Sequence, residues 1–251
     1  MAVERSGGGD PARTIALLWR KPPEPRTVGR KPKVSVDQIV TAALAVADRD
    51  GLAAMSMARV AQELGVGTMS LYTHVPGKAE LIDLMADAVL QERDLVPEGG
   101  WRERVKHYAD RTRAVYQRHP WMRDVSMVRP PLGPGLMDGQ EFLLAALADS
   151  GLEPRQVTTA HVAVEGFVHG AAAAEVDDQQ LAATTGETGD SWWGARQVFW
   201  DDYFDVERYP TMTTLWNLGA YQTEGTLADT VRTSFDYGLD RLLDGIERGL
   251  A

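Results

Sequence analysis

Four hydroxyl side chains crowd the stretch Thr68-Met69-Ser70-Leu71-Tyr72-Thr73-His74, and Lys78 follows shortly after. Short hydroxyls hydrogen-bond close to their own backbone, which suits phosphate oxygens and base edges. A second concentration, His161, Glu165 and His169, recurs at i, i+4 and i+8, so on a helix these three share one face. Such a face could orient a polar group of a ligand, hold a divalent ion or close a buried network of its own. Zero cysteines exclude disulfides, thiolate metal sites and cysteine nucleophiles. With no phosphate loop, nucleophile elbow or His-x-x-x-His pair, the pattern predicts neither an enzyme nor a bound metal or cofactor.

Local signals say which elements must position these groups. Ser35 is a good N-cap, Ile39, Ala42, Ala43, Val46 and Ala47 recur at helical spacing, and Gly51 stops the run, which predicts a helix over 36–50. Ser56 caps a second helix through Leu64, with Val60, Ala61 and Leu64 inward, and Gly65 permits the left-handed turn that follows. Thr68 is expected to cap a third, short helix with Leu71 and Val75 inward, closed by Pro76-Gly77. A longer amphipathic helix over 78–93 buries Leu81, Leu84, Met85 and Val89. Two short helices about a glycine turn, the second facing outward, match a helix-turn-helix, whose second helix enters the major groove of DNA, although any helical bundle can also contain short helices joined by glycine. Lys78 would then sit at a helix N-terminus, where its ammonium and the open backbone N–H groups can jointly hold a phosphate.

The net charge of −10 is unevenly spread: residues 1–93 carry 12 basic against 11 acidic side chains, and 94–251 carry 14 against 25. Residues 1–34, rich in Gly, Pro and Arg, are expected to form a disordered basic arm, in which Arg30, Lys31 and Lys33 could follow the minor groove or the phosphate backbone. The acidic remainder would repel DNA and so restrict binding to the helix-turn-helix face. No run approaches the ~18 apolar residues of a membrane span, and the N-terminus lacks an apolar signal core, so a cytoplasmic protein is expected.

Beyond a break at Pro97-Glu98-Gly99-Gly100, periodicity predicts helices over 101–118, 120–127, 136–150, 154–176, 191–206, 211–221 and 226–249, with no strand pattern. The expected fold is all-α: a helix-turn-helix domain at 35–77 and a larger ligand-binding and dimerisation domain at 78–251, joined through 78–93. Aromatic and methionine side chains are dense in the larger part, which suits a large, mostly apolar ligand. Tyr108, Thr112, Trp121, Met122, Met127, Phe142 and Trp192, with His161, Glu165 and His169, are its candidate contacts. Val231, Phe235, Leu239, Leu242 and Ile246 form one apolar stripe, and Val162, Phe167 and 171–174 another; they serve either a dimer or the chain's own core.

The stretch from Val60 to Val75, followed by Gly77-Lys78-Ala79-Glu80-Leu81, resembles the DNA-binding domain of the tetracycline-repressor (TetR) family. The resemblance covers about 35–93 and includes Ala43-Leu44 and Asp50-Gly51 in the first helix. It implies a homodimer on a palindromic operator, released by a small effector, with 154–176 and 226–249 pairing across the two-fold axis. By the same resemblance Thr68 and Met69 face bases, Met69 against a thymine methyl, and Tyr72 lies where base and backbone contacts meet. Ser70, Thr73 and His74 would take phosphates. Where tetracycline repressors carry a basic residue early in the second helix, this chain has Ala58, so a base contact is expected to be lost and the operator need not match theirs; the neighbouring Arg59 is a candidate DNA contact. Around Asp124-Val125-Ser126-Met127 there is no histidine where the tetracycline-binding branch has its magnesium ligand, so magnesium-tetracycline is not expected as the effector; an aromatic or polyketide-like compound is. The alternative is a DNA-binding regulator, or an activator, without a small-molecule inducer.

Overall fold

Ser35 begins the first long helix as its sequence predicts: its hydroxyl accepts from Gln38 N at 3.2 Å while Gln38 Oε1 accepts from Ser35 N at 2.9 Å. The structure, a computed structural model, describes residues 4–5, 10–21, 34–222 and 225–249. In chain order the described helices are α1 (Pro11–Leu18), α2 (Val36–Asp50), α3 (Met57–Glu63), α4 (Thr68–Tyr72), α5 (Lys78–Gln91) and α6 (Trp101–Arg118). After them come α7 (Pro134–Ala148), α8 (Pro154–Thr185), α9 (Gly189–Gly194), α10 (Pro210–Asn217) and α11 (Leu227–Arg248).

Several expectations are corrected. The arm expected to be disordered contains α1, capped by Asp10, whose Leu18 is buried against α5 and whose Trp19 Nε1 donates to Leu132 O at 2.8 Å. A two-residue parallel pairing joins Glu4–Arg5 (β1) to Val125–Ser126 (β2). The helix expected over 120–127 is therefore only a 3-10 turn at Pro120–Asp124. Helix α8 runs nine residues past the expected 176, because alanine and leucine sustain it until Gly186 adopts a left-handed φ of +71°. The helix expected over 191–206 divides into α9 and a π-turn at Phe199–Tyr203.

The expected amphipathic stripe of α5 is also too narrow, since it is buried nearly all round, Glu80, Asp83 and Asp87 included. It packs between α2 on one side and α6 and α7 on the other, so the DNA-reading helices share one hydrophobic core with the near half of the larger domain. A second core, formed by α6, α7, α8 and α11, lies farther along and includes Tyr108, Leu143, Val164 and Leu243. The N-cap of α7 is Gly133, which offers no side-chain cap; Asp87 of α5 takes that role, accepting from Gly135 N at 3.2 Å and Leu136 N at 3.0 Å. Burial raises the Asp87 pKa, and these two backbone hydrogen bonds pull it back.

Candidate nucleic-acid interface and ligand cluster

Around Gly65, at φ +65°, the chain leaves α3 and turns sharply, with Gly65 N bonding Gln62 O at 3.1 Å and Val66 N bonding Ala61 O at 3.0 Å. Gly67, not Thr68, holds the N-cap of α4, so Thr68 is already helical and its hydroxyl has no capping duty. Leu71 and Val75 are fully buried against the first core and fix the roll of the helix. Met69, 76% exposed, and Tyr72, 40% exposed, therefore stand outward. Ser70 and Thr68 are half-buried beside them, while the Thr73 hydroxyl donates to Ser70 O at 2.7 Å and leaves only its lone pairs for a partner. Helix α4 ends at Tyr72 rather than Val75, and His74 lies in the following turn. Lys78 opens α5 behind Gly77, which supplies no side-chain cap of its own. Arg59 is held by Asp50 at 3.4 Å and Gln62 at 3.2 Å, so any DNA contact of its own must compete with both. Arg30, Lys31 and Lys33 lie outside the described residues.

Five candidate ligand contacts converge between α6 and α8. Tyr108 OH donates to Glu165 Oε1 at 3.4 Å, and His161 Nε2 lies 3.7 Å from the same oxygen, beyond hydrogen-bonding distance. His161 Nε2 is buried without a partner. Thr112 Oγ1 likewise makes no hydrogen bond of ordinary geometry, although it sits close enough to Tyr108 to favour its ionised form. His169 Nδ1 and the Tyr116 hydroxyl share a hydrogen bond of 3.1 Å. Burial pushes the Tyr108 hydroxyl up to about 12, so it stays a donor. Burial, helped by the charge of Arg93, holds His169 down to about 4, so it stays neutral.

Arg93 and Tyr116 belong to this cluster although sequence reasoning passed them over. The Arg93 guanidinium donates to Leu90 O at 3.0 Å and Gly135 O at 2.8 Å and lies 5.2 Å from the centre of the Tyr108 ring. Nothing in the sequence distinguishes it from a solvated arginine at a helix end. The remaining candidates lie elsewhere. Trp121 donates from Nε1 to Asp48 Oδ1 at 2.7 Å and, with Met122 and Met127, packs in the core shared with the DNA-reading helices. Phe142 packs on the second core, 6.2 Å from the His107 ring. Trp192 is 38% exposed, stacked edge-on to Trp193 and under Arg196. Among the described residues no group of His, Asp and Glu comes together as a metal site, and no helix is long and apolar enough to cross a membrane.

His169 also yields a stability prediction. Its folded pKa of about 4 lies below the ordinary 6.5, so the stability gained by keeping it neutral is complete above 6.5 and is lost as pH falls toward 4. His169→Gln should therefore flatten the acid limb of thermal stability measured from neutral pH down to about 4.5. Equal acid slopes for both proteins would contradict the assignment.

An outward helix-turn-helix on an otherwise helical, partly polar core defines a DNA-binding transcription regulator. The model for bacterial regulatory proteins of the tetR family matches residues 39–85, and that for the tetracyclin repressor-like C-terminal domain matches 95–250. The chain belongs to the TetR family. It is 40% identical to the HTH-type transcriptional repressor DrrR1 of Streptomyces coeruleorubidus over 252 residues, covering 98% of this chain and 89% of that one. The TetR family protein ActR of Streptomyces coelicolor in complex with actinorhodin has a TM-score of 0.71 to it at 30% identity, over 86% of this chain and 97% of that one. The tetracycline repressor protein class E of Escherichia coli is 23% identical over 153 residues, covering 59% of this chain and 72% of that one. The chain is thus a repressor-type regulator and not an enzyme.

Proposed function

We propose that the chain represses transcription as a homodimer on a palindromic operator and is released when an aromatic, polyketide-like effector engages the polar cluster between α6 and α8. The observation that carries this reading is the meeting of Tyr108, His161, Glu165 and His169 between α6 and α8, with the buried His161 Nε2 lacking a partner. A buried polar atom without a partner is costly, and a ligand supplies one. Arg93 leads from the cluster to the end of α5, whose other end carries Lys78 and the DNA-reading turn. An effector that displaces Tyr108 therefore acts on the lever that sets the spacing of two recognition helices, which must lie about one DNA turn, ~34–36 Å, apart. The complex of ActR with actinorhodin supports the effector class.

Dimerisation would use the faces of α8 and α11. An open groove of about 550 Å³ runs between them, lined by Leu152, Ala160, Ala163, Leu242 and Ile246, and Val162 and Tyr237 project beside it. The aromatic lobe from Trp192 to Tyr221 has no buried residue within one chain, and a second subunit would cover part of it.

Quenching of tryptophan fluorescence by hydroxyanthraquinones and related polyketides, followed by operator titration with each bound compound, tests the reading. A coupling of ~1–3 kcal/mol would lower operator affinity about 5–150-fold. Should specifically bound compounds leave operator affinity unchanged, the alternative of a regulator without an inducer gains. A monomer mass in light scattering at micromolar concentration would contradict the dimer.

A further inference from the structure

His119 follows the last residue of α6 at the junction of three elements, and 5% of it is exposed. Its Nδ1 lies 2.8 Å from Asp48 Oδ1, in the last turn of α2, and its Nε2 lies 3.2 Å from Glu92 Oε2, at the end of α5. Ionised carboxylates only accept hydrogen bonds, so both ring nitrogens can bond here only when both carry a proton. Two neighbours reinforce the arrangement: Trp121 Nε1 donates to the same Asp48 oxygen at 2.7 Å, and Arg118 donates to Glu92. Burial opposes the charge of Glu92, yet the bonds from Arg118 and His119 hold its carboxyl below the ordinary range. The groups facing the imidazole are thus Asp48 from α2, Glu92 from α5, Trp121 from the 3-10 turn, and Arg118 of α6 through Glu92.

At the other end of α2, where Ile39 and Val40 are buried in the first core, the ion pair with the segment after α1 is Arg20–Asp37, whose side chains are 40% and 74% exposed. Exposed pairs of this kind are screened by solvent and salt.

We propose that His119 is a positioning residue for operator binding: donating from both nitrogens, it clamps Asp48 of the reading head to Glu92 of the linking helix and so fixes the pose in which the head meets DNA. A dimer that must fit two half-sites at once gains from a narrow range of head orientations, because less freedom is lost on binding. Loss of the proton breaks one side of the clamp, widens that range and weakens binding. Operator affinity therefore falls once the imidazole gives up that proton, because an ionised carboxylate cannot donate in its place.

The inference rests on the chain being an operator-binding regulator, and its test uses the full chain with a duplex selected by the protein from random DNA. At constant salt and a pH of roughly 6, His119→Gln is expected to bind that duplex roughly tenfold more weakly, the scale of one lost charge-assisted hydrogen bond. It should also discriminate less between that duplex and versions with one base pair added or removed between half-sites. Other titratable groups near the DNA can contribute a slope of their own, so the diagnostic quantity is the pH slope of wild type minus that of His119→Gln. Asp48→Asn keeps the shape and should flatten the slope likewise, which guards against misfolding of the first variant. Wild-type affinity, spacing preference and pH slope in both variants would overturn the proposal. Imidazole nitrogen resonances of the DNA-free wild type at the same pH of roughly 6 give an arm independent of the operator: His119 should show both N–H protons there, and a single neutral tautomer would overturn the clamp even if operator binding is confirmed. If no duplex is bound while both N–H protons are seen, the operator-binding reading fails and the clamp stands.

Discussion

Tyr72→Ala is expected to weaken operator binding by ~1–3 kcal/mol, about 5–150-fold, without changing helical content or subunit mass. The separation of roles along α4 makes this possible. Leu71 is fully buried and holds the helix in place, whereas the neighbouring Tyr72 ring is 40% exposed and contributes little to the core. A neutral ring lost from a base contact leaves the salt dependence of binding nearly as it was. Lys78→Ala acts differently: if its ammonium meets a phosphate, affinity falls about equally on all sequences and the slope of log affinity against log salt falls by about one. Gel-shift titrations at several fixed salt concentrations separate the two. Wild-type affinity in both variants would remove the helix-turn-helix face from the mechanism.

Gly135→Ala should give the largest loss of stability, ~1–3 kcal/mol or more, and lower the melting temperature by several degrees. A Cβ at this position would stand 2.1 Å from the backbone oxygen of Asp87 and 2.9 Å from Gln91 Cγ. The oxygen belongs to α5 and cannot rotate away, so α5 and α7 must separate and the Asp87 cap on Gly135 N and Leu136 N opens. Gly139→Ala meets a different obstacle, the Arg93 guanidinium, with its nearest nitrogen at 1.9 Å. A side chain can swing aside, so this variant should cost less stability while displacing Arg93 from Tyr108. Thermal melts that rank Gly139→Ala as the more damaging would contradict the packing described here.

The reading head and its surroundings differ in how much a local sequence can say. Ser35, Gly51, Ser56 and Gly65 act within a few residues of themselves through caps and left-handed turns, so α2, α3 and the turn were legible directly. Leu71 on one side of α4, with Met69 and Tyr72 on the other, was legible for the same reason: 3.6-residue periodicity assigns faces without reference to any partner. The spacing of His161, Glu165 and His169 likewise placed them on one face of α8. Tertiary structure alone decided what that face meets. It chose Tyr108 and Tyr116 as its partners, brought in Arg93 from the end of α5, and moved Trp121 out of the ligand cluster to a hydrogen bond with Asp48, 73 positions away. It also placed α1 against α5, in a segment whose prolines, glycines and arginines predicted disorder, because an eight-residue helix draws its stability from the core it joins rather than from its own turns. Side chains that act through caps and periodicity announce themselves in sequence; those that act across the core depend on which helices the fold brings together.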